Sequence, residues 1–497
     1  MSTPPEVKPW RELTPPKGTA REVKPDSRPL RNAKVACLLS VTLLTAVPAA
    51  TQTSTNSRSS ATSLKDTKVR IPATAARVRK EFLHAWNGYK QYAWGHDSLR
   101  PLSKTPYDWY GQSLWMTPVD ALDTLMVMGF KAEAEKTKRA IIENLSFDKD
   151  IYVQNFEITI RLLGGLLSVY QMTGDKRLLA LAEDLGTRLL PVFDSRTGIP
   201  YRFVNLRSGK VRENETNPAE AGTLLIEFGA LSKLTGKQVF YDKAKRALVE
   251  VYRRRSPLGL VGSTINVETG EWTNKDSHVG GGIDSYYEYL LKCWLLFDDN
   301  DCKQMWLDSI SAVNKYLADE TGPVLWYGHA DMSNGKRTET TFGALEAFIP
   351  AVLALAGDTA RARRAQQACF QMWTLYGIEP EQLNYRTMKV DNPGYPLRPE
   401  IIESAYYLHQ FTGDRRYREM GGVFFREFVT YCRTDSAYAA LEDVIKKKQR
   451  DRMESFLFAE TFKYFYLLFS PPGAFNFKNV IFNTEAHPIR RTWGKRQ

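Results

Sequence analysis

Seven turn signals divide this chain and constrain its fold more than any other feature. They are Met128-Gly129, Thr173-Gly174-Asp175, Thr235-Gly236-Lys237, Asp298-Asp299-Asn300, Ala356-Gly357-Asp358, Thr412-Gly413-Asp414 and Pro471-Pro472-Gly473. Most follow a strongly apolar helical stretch, such as 162–170 or 224–234, and most precede a Lys/Arg/Ala-rich amphipathic one, such as 176–189 or 237–251. After the first turn the spacing settles at roughly 45 to 65 residues, one helical hairpin plus a long connection. An apolar helix alternating with a mixed one predicts an inner and an outer ring. The expected fold is therefore all-α, an (α/α)7 barrel of seven helical hairpins. An open solenoid would use shorter and more uniform repeats.

The N-terminus reads differently. Residues 1–30 are rich in Pro, Lys and Glu and read as a disordered extension. Arg31 and Lys34 precede the apolar stretch 35–50, which ends Val47-Pro48-Ala49-Ala50 like a cleavable signal peptide. Export to the periplasm or cell exterior, with cleavage near residue 50, is the expectation, and a type II membrane anchor is the alternative. No stable membrane partner is expected after cleavage. Residues 51–69 form a Ser/Thr-rich linker, and residues 70–497 form one catalytic domain.

The net charge of +12 raises nucleic acid as a partner. Residues 1–50, however, hold eight Lys/Arg against four Asp/Glu, and Arg490, Arg491, Lys495 and Arg496 add four more positive charges. The excess is peripheral, no arginine-rich helix or zinc-finger spacing occurs, and no nucleic-acid partner is expected. The five cysteines, Cys37, Cys293, Cys302, Cys369 and Cys432, contain no CxxC spacing, and any disulfide among them is unreadable from sequence.

Chemistry concentrates where the apolar helices begin. Asn155-Phe156-Glu157 opens one, with Arg161 one turn on; Gly280-Gly281-Gly282-Ile283-Asp284 opens another, with Glu288 one turn on. Arg398-Pro399-Glu400 starts a third, followed by Glu403. Glu220 and Glu227 read as two turns apart on a fourth, Phe456 and Glu460 share a face of a fifth, and Thr117-Pro118-Val119-Asp120 looks like a capped sixth. Single acids at helix starts answer the helix dipole. A second acid one turn further, among residues such as Tyr286, Tyr287 and Leu290, needs a partner or a metal. The outcome is an acidic funnel suited to glycoside hydrolysis, where one carboxyl serves the leaving oxygen and another the water. The glycine triplet lacks the Lys-Ser/Thr of a phosphate loop and instead permits close backbone approach.

Behind these helices lies Phe482-Asn483-Thr484-Glu485-Ala486-His487-Pro488, after the β-branched pair Val480-Ile481. It predicts a short C-terminal β-hairpin that plugs the barrel. Thr484 offers a hydroxyl and a carbonyl together, which suits a hard cation. The spacing of the six histidines matches no metal motif, and His487 reads as structural.

These segments resemble the class I α-mannosidases of glycoside hydrolase family 47. The resemblance rests on 119–125, Phe156-Glu157 with 161–166, Ala219-Glu220-Ala221-Gly222, 284–289, 397–400 with Glu403-Ser404, Phe456 with Glu460-Thr461, and 482–488. It implies a monomeric (α/α)7 enzyme that uses Ca²⁺ to remove terminal α-1,2-linked mannose with inversion from an oligosaccharide or glycoprotein N-glycan. Glu157 is then the general acid, Glu400 the general base and Asp284 the third catalytic carboxylate. Thr484 is the direct Ca²⁺ ligand, and Glu403, Glu460 and Glu485 hold its waters. Phe456 is the aromatic floor under the sugar, and Arg161, Glu220 and Arg398 join the substrate site. Two departures stand out. Cys369 matches one half of a family disulfide whose other position is Ala347 here, so that bridge is expected to be absent. Gly282 stands where branch-specific members carry Arg, which implies a more open cleft. The alternatives are a mannose-glycan-binding relative without turnover and an α/α-barrel hydrolase of another sugar.

Overall fold

Helices end where the turn signals fall. Gly174, Gly236 and Gly413 take left-handed φ of 74°, 76° and 67° after apolar helices. Asp175, Asp299 and Asp358 then cap the helices that follow, accepting from the backbone N–H of Arg177, Cys302 and Arg361. The computed structural model describes residues 71–493, so the readings of residues 1–69 lie outside the described residues. Among the described residues, seven inner segments cover 116–127, 155–173, 218–235, 284–297, 345–355, 400–412 and 457–469. Seven outer helices are Ile71–Ala93, Lys131–Asn144, Lys176–Leu189, Gln238–Arg253, Asn300–Tyr316, Thr359–Tyr376 and Arg416–Cys432. Burial follows the sequence pattern. Leu225–Thr235 is buried on every face through Ser232, whereas Lys176–Leu189 buries only Leu178, Ala182, Leu185, Gly186 and Leu189.

Each inner segment packs on both inner neighbours, and the last packs on the first, so the ring closes as an (α/α)7 barrel. The seventh pair differs from the expected hairpin. Pro471-Pro472-Gly473 leads not to an outer helix but to the C-terminal strands, and Ile71–Ala93 packs on 457–469 instead. Long outer-to-inner connections carry short antiparallel strands. Tyr152–Gln154 pairs with Phe203–Asn205, and Gln382–Asn384 runs between Thr341–Gly343 and Lys389–Asn392. None of the described helices is long and apolar enough to cross a membrane.

Two local expectations are corrected. Glu220 and Glu227 are not on one helix, because Pro218–Gly222 and Leu225–Thr235 are separated at Thr223 and Leu224. Thr117 does not cap Met116–Val127; its hydroxyl donates to the Asp97 carbonyl, and the Asp97 carboxylate accepts from the N–H of Leu114 and Met116. A distant loop residue thus replaces the local cap. Among the cysteines, Cys293 and Cys302 form a disulfide across one inner–outer turn. Cys369, whose family partner position holds Ala347, is a buried free thiol, and so is Cys432.

The C-terminal hairpin pairs Val480–Phe482 with Pro488–Arg490 in register Phe482↔Pro488, and its tip enters the ring. Asn483 Nδ2 donates to the Ile160 carbonyl at 2.8 Å and to Glu227 Oε1 at 2.7 Å, while its Oδ1 accepts from the N–H of Glu485 and His487. Lys463 Nζ donates to the Ala486 carbonyl at 2.6 Å, and the Thr484 N–H donates to the Tyr289 hydroxyl at 3.2 Å. Space for this tip comes from Gly164 and Gly165. A Cβ on Gly164 would stand 2.6 Å from Asn483 Nδ2, and one on Gly165 would stand 2.9 Å from Val119 and 3.2 Å from His487. Asn483 is held at both ends and has nowhere to move. Gly164→Ala is expected to cost about 1–3 kcal/mol of stability, read as a lower urea midpoint at unchanged m-value.

Candidate active site

Two π-helical turns, Thr159–Leu163 and Leu457–Thr461, interrupt inner segments and carry Arg161 and Glu460. The extra residue in such a turn re-aims side chains that a regular helix would point elsewhere. Arg161 is buried. Its guanidinium binds Glu157 Oε2 through Nε at 3.0 Å and Nη2 at 2.8 Å, and pairs through Nη1 with Glu485 on the hairpin tip. Arg161 also faces the rings of Trp109 and Phe456, with Cζ 5.3 and 5.6 Å from their centroids. Arg398 approaches Phe456 as well, at 6.0 Å. Phe456 is therefore bracketed by two cations.

The sequence-predicted carboxylates converge on the same interior. Asp284 opens its helix, its N–H bonded to the Gly280 carbonyl at 2.9 Å and its Oδ1 accepting from the Ser285 N–H at 2.8 Å. Glu400 opens Glu400–Thr412, and Glu403 one turn later accepts from the Tyr464 hydroxyl at 3.1 Å. Arg398 forms a bidentate pair with Glu381, at 2.5 and 3.1 Å. Glu220 takes up different partners: Gln154 Nε2 at 2.8 Å, and Arg202 at 3.0 Å across an ion pair. Thr484 lies at the hairpin tip, half-buried, next to Glu485. The glycine triplet serves close approach. A Cβ on Gly280 would stand 2.2 Å from Glu346 Oε1, while one on Gly282, at φ 96°, would stand 3.7 Å from Asn217.

Burial and mutual repulsion dominate the electrostatics. Burial pushes the Glu400 carboxyl up to about 7, with Arg398 opposing and Glu381 and Asp284 adding. Burial and the neighbouring Glu288 push Glu403 up to about 8. Burial pushes Glu485 to about 8 against the pull of Arg161. Glu460 rises well above the ordinary range through burial and then Glu485, Glu400 and Glu403. These acids share an interior with more carboxylates than cations to neutralise them. A set of buried oxygens in that condition fits a hard divalent cation.

Several residues of this site went unread in the sequence. Lys292 pairs with Glu288, and Lys463 pairs with Asp123 at 2.8 Å, each fully buried. Lysines inside apolar helices were the available signal, since a buried ammonium demands a carboxylate. Glu346, Glu379 and Glu381 left no such sign, since none of them stands at the start of a recognised apolar helix pattern. His487 is structural in an unforeseen way: Nδ1 meets Asp123 Oδ2 at 2.7 Å and Nε2 meets Asp120 Oδ1 at 3.2 Å.

Comparison with known proteins agrees with this geometry. The model of glycosyl hydrolase family 47 matches residues 81–491. Alpha-mannosidase I MNS5 of Arabidopsis thaliana is 39% identical over 450 residues, covering 83% of this chain and 76% of its own length. The ER degradation-enhancing alpha-mannosidase-like protein 2 of Mus musculus is 37% identical over 83% of this chain and 77% of its own. Among solved structures, the alpha-1,2-mannosidase from Trichoderma reesei superposes with a TM-score of 0.79 at 27% identity, over 84% of this chain and 99% of that one.

The His487 bridge makes stability depend on pH. Two aspartates raise its imidazole from 6.5 to about 9 despite burial, the Asp123 charge weighing most among the groups that raise it. The stabilisation is complete below 6.5 and is lost as pH rises through about 9. At about 1.4 kcal/mol per unit, it amounts to roughly 3 kcal/mol. Thermal midpoints of the wild type are expected to fall across that window, and His487→Gln to flatten this part of the profile from a lower starting value.

Proposed function

This chain belongs to glycosyl hydrolase family 47, and on that footing we propose that it removes terminal α-1,2-linked mannose from mannose-containing oligosaccharides or N-glycans with inversion. That it is a mannose-trimming glycoside hydrolase follows from its family. The observation that most supports the finer reading is the convergence of Glu157, Asp284 and Glu400 on a buried funnel floored by Phe456.

In this reading Glu157 delivers a proton to the glycosidic oxygen, directly or through a water. The bond from that oxygen to the anomeric carbon breaks as a water attacks the opposite face. Glu400 takes the proton that this water sheds. The step leaves Glu157 deprotonated and Glu400 protonated, and proton exchange with solvent resets both, with no covalent sugar–enzyme intermediate. Arg398 favours the charged form of Glu400, which a base needs. Asp284 adds negative charge beside the positive charge that develops on the sugar. Arg161, held by Glu485 and Glu157, orients the acid and closes one wall over Phe456. Glu220 and Arg398 extend the substrate walls.

The buried oxygen set fits Ca²⁺, which Thr484 would hold directly while Glu403, Glu460 and Glu485 hold its waters. When bound, such an ion orients the sugar's hydroxyls and favours an oxocarbenium-like ring. The catalytic unit is taken as residues 70–497, monomeric and exported, with a type II anchor as the other route to the same compartment.

One relative at 37% identity carries the name of an ER degradation-enhancing mannosidase-like protein. A glycan-binding role without turnover is therefore the second reading. With α-1,2-mannobiose, the enzyme releases mannose of inverted configuration and a binding protein releases none. Glu400→Gln is expected to lower kcat by at least about a thousandfold, with an unchanged thermal midpoint. Exhaustive chelation followed by Ca²⁺ return should abolish and then restore turnover; full activity in the chelated protein refutes the metal assignment.

A further inference from the structure

Glu379 lies between the outer helix Thr359–Tyr376 and the strand Gln382–Asn384, in none of the roles above. Its side chain is fully buried, and neither carboxyl oxygen finds a hydrogen-bond partner among the described residues. One oxygen of Glu400, Oε2, is buried and unpartnered in the same way. The bidentate pair of Glu381 and Arg398 links the two segments: Glu381 follows Glu379 by two residues, and Arg398 precedes Glu400 by two. Buried polar atoms without protein partners are satisfied by ordered water in folded proteins.

We propose that Glu379 is a positioning residue for the general base, holding Glu400 by its unpartnered Oε2 through one buried water. This rests on the assignment of Glu400 as the base. The charged and titratable groups facing Glu379 are Glu400, Glu381, Arg398, Cys369 and Tyr395. Those facing Glu400 are Arg398, Glu381, Asp284, Glu379 and Tyr395, with Glu403 and Glu460 beyond. Burial first, then the Glu400 charge, holds the Glu379 carboxyl well above the ordinary carboxylate range, which favours its protonated form. A protonated carboxyl donates to the water, and the water donates to Glu400. A hydrogen bond to the charged form stabilises it and fixes which oxygen faces the attacking water. An ionised Glu379 would instead repel the base.

The test compares the full-length wild type with Glu379→Leu and Glu379→Gln on α-1,2-mannobiose. Glu379→Leu is expected to move the acidic limb of the kcat profile upward by about one pH unit. At pH values below that limb kcat falls about tenfold while KM holds. Glu379→Gln, which keeps shape and a donor, restores most of both. A folded Glu379→Leu protein with the wild-type limb overturns the proposal, as does a Glu379→Gln protein no better than the leucine variant. Should the leucine variant not fold, infrared difference spectra of wild type against Glu379→Gln decide. A protonated-carboxyl band assigned to Glu379 that shifts on binding a mannose-configured iminosugar supports the role. The absence of such a band, or its indifference to the ligand, refutes it. A wild type that releases no mannose at all would instead defeat the functional reading itself.

Discussion

One amide side chain organises the interior. Asn483 uses its carbonyl to tie two backbone N–H groups of the hairpin turn and its amino group to join the Ile160 carbonyl and Glu227. The turn is thereby rigid, and its position in the ring is fixed in the same act. Arg161, Lys463 and His487 then connect that tip to the surrounding helices through charges that burial makes costly to leave alone. Placement of Thr484 and Glu485 is a consequence of these bonds. A tip held only by apolar contact would slide along the barrel axis, since packing has no direction.

Much of the architecture was legible because helix punctuation is local. The Gly-Asp pairs after 173 and 412 carry their own turn geometry and their own cap, so nothing distant is required to interpret them. What the sequence hid depends on residues far apart. Ile71–Ala93 belongs with 457–469, although hairpin spacing argues for a pair beyond residue 473. Asp97 does the capping that Thr117 advertised. Next to the break at Thr223 and Leu224, Gly222 makes room for Tyr286, from which a Cβ would stand 2.8 Å. Among site residues, acids at helix starts were readable as a class. Asn483 and Glu379 were not, because a single buried polar residue shows its purpose only once its partner is in view.

The charge distribution inverts that of the chain as a whole. A protein with net charge +12 surrounds its cavity with acids and meets them with a few inward cations. Each cation is committed: Arg161 to Glu157 and Glu485, Lys292 to Glu288, Arg398 to Glu381. The remaining carboxylates are held up by burial and by one another. Removing water from such a set strengthens its attraction for positive charge as much as its internal repulsion. The same low dielectric that penalises these carboxylates therefore makes them attract positive charge brought among them.

The union of the first outer helix with the last inner segment has a consequence for how the molecule comes into being. Glu81 meets Tyr438 357 residues away, and His84 meets the Thr434 carbonyl 350 residues away. Six hairpins are able to form in turn as a ribosome releases them, each from neighbours in sequence. The seventh waits for the whole chain, while the apolar side of Ile71–Ala93 stays uncovered. Ring closure is thus the slow, long-range event of folding, and the hairpin tip, translated later still, enters a cavity that exists only once the two ends have met.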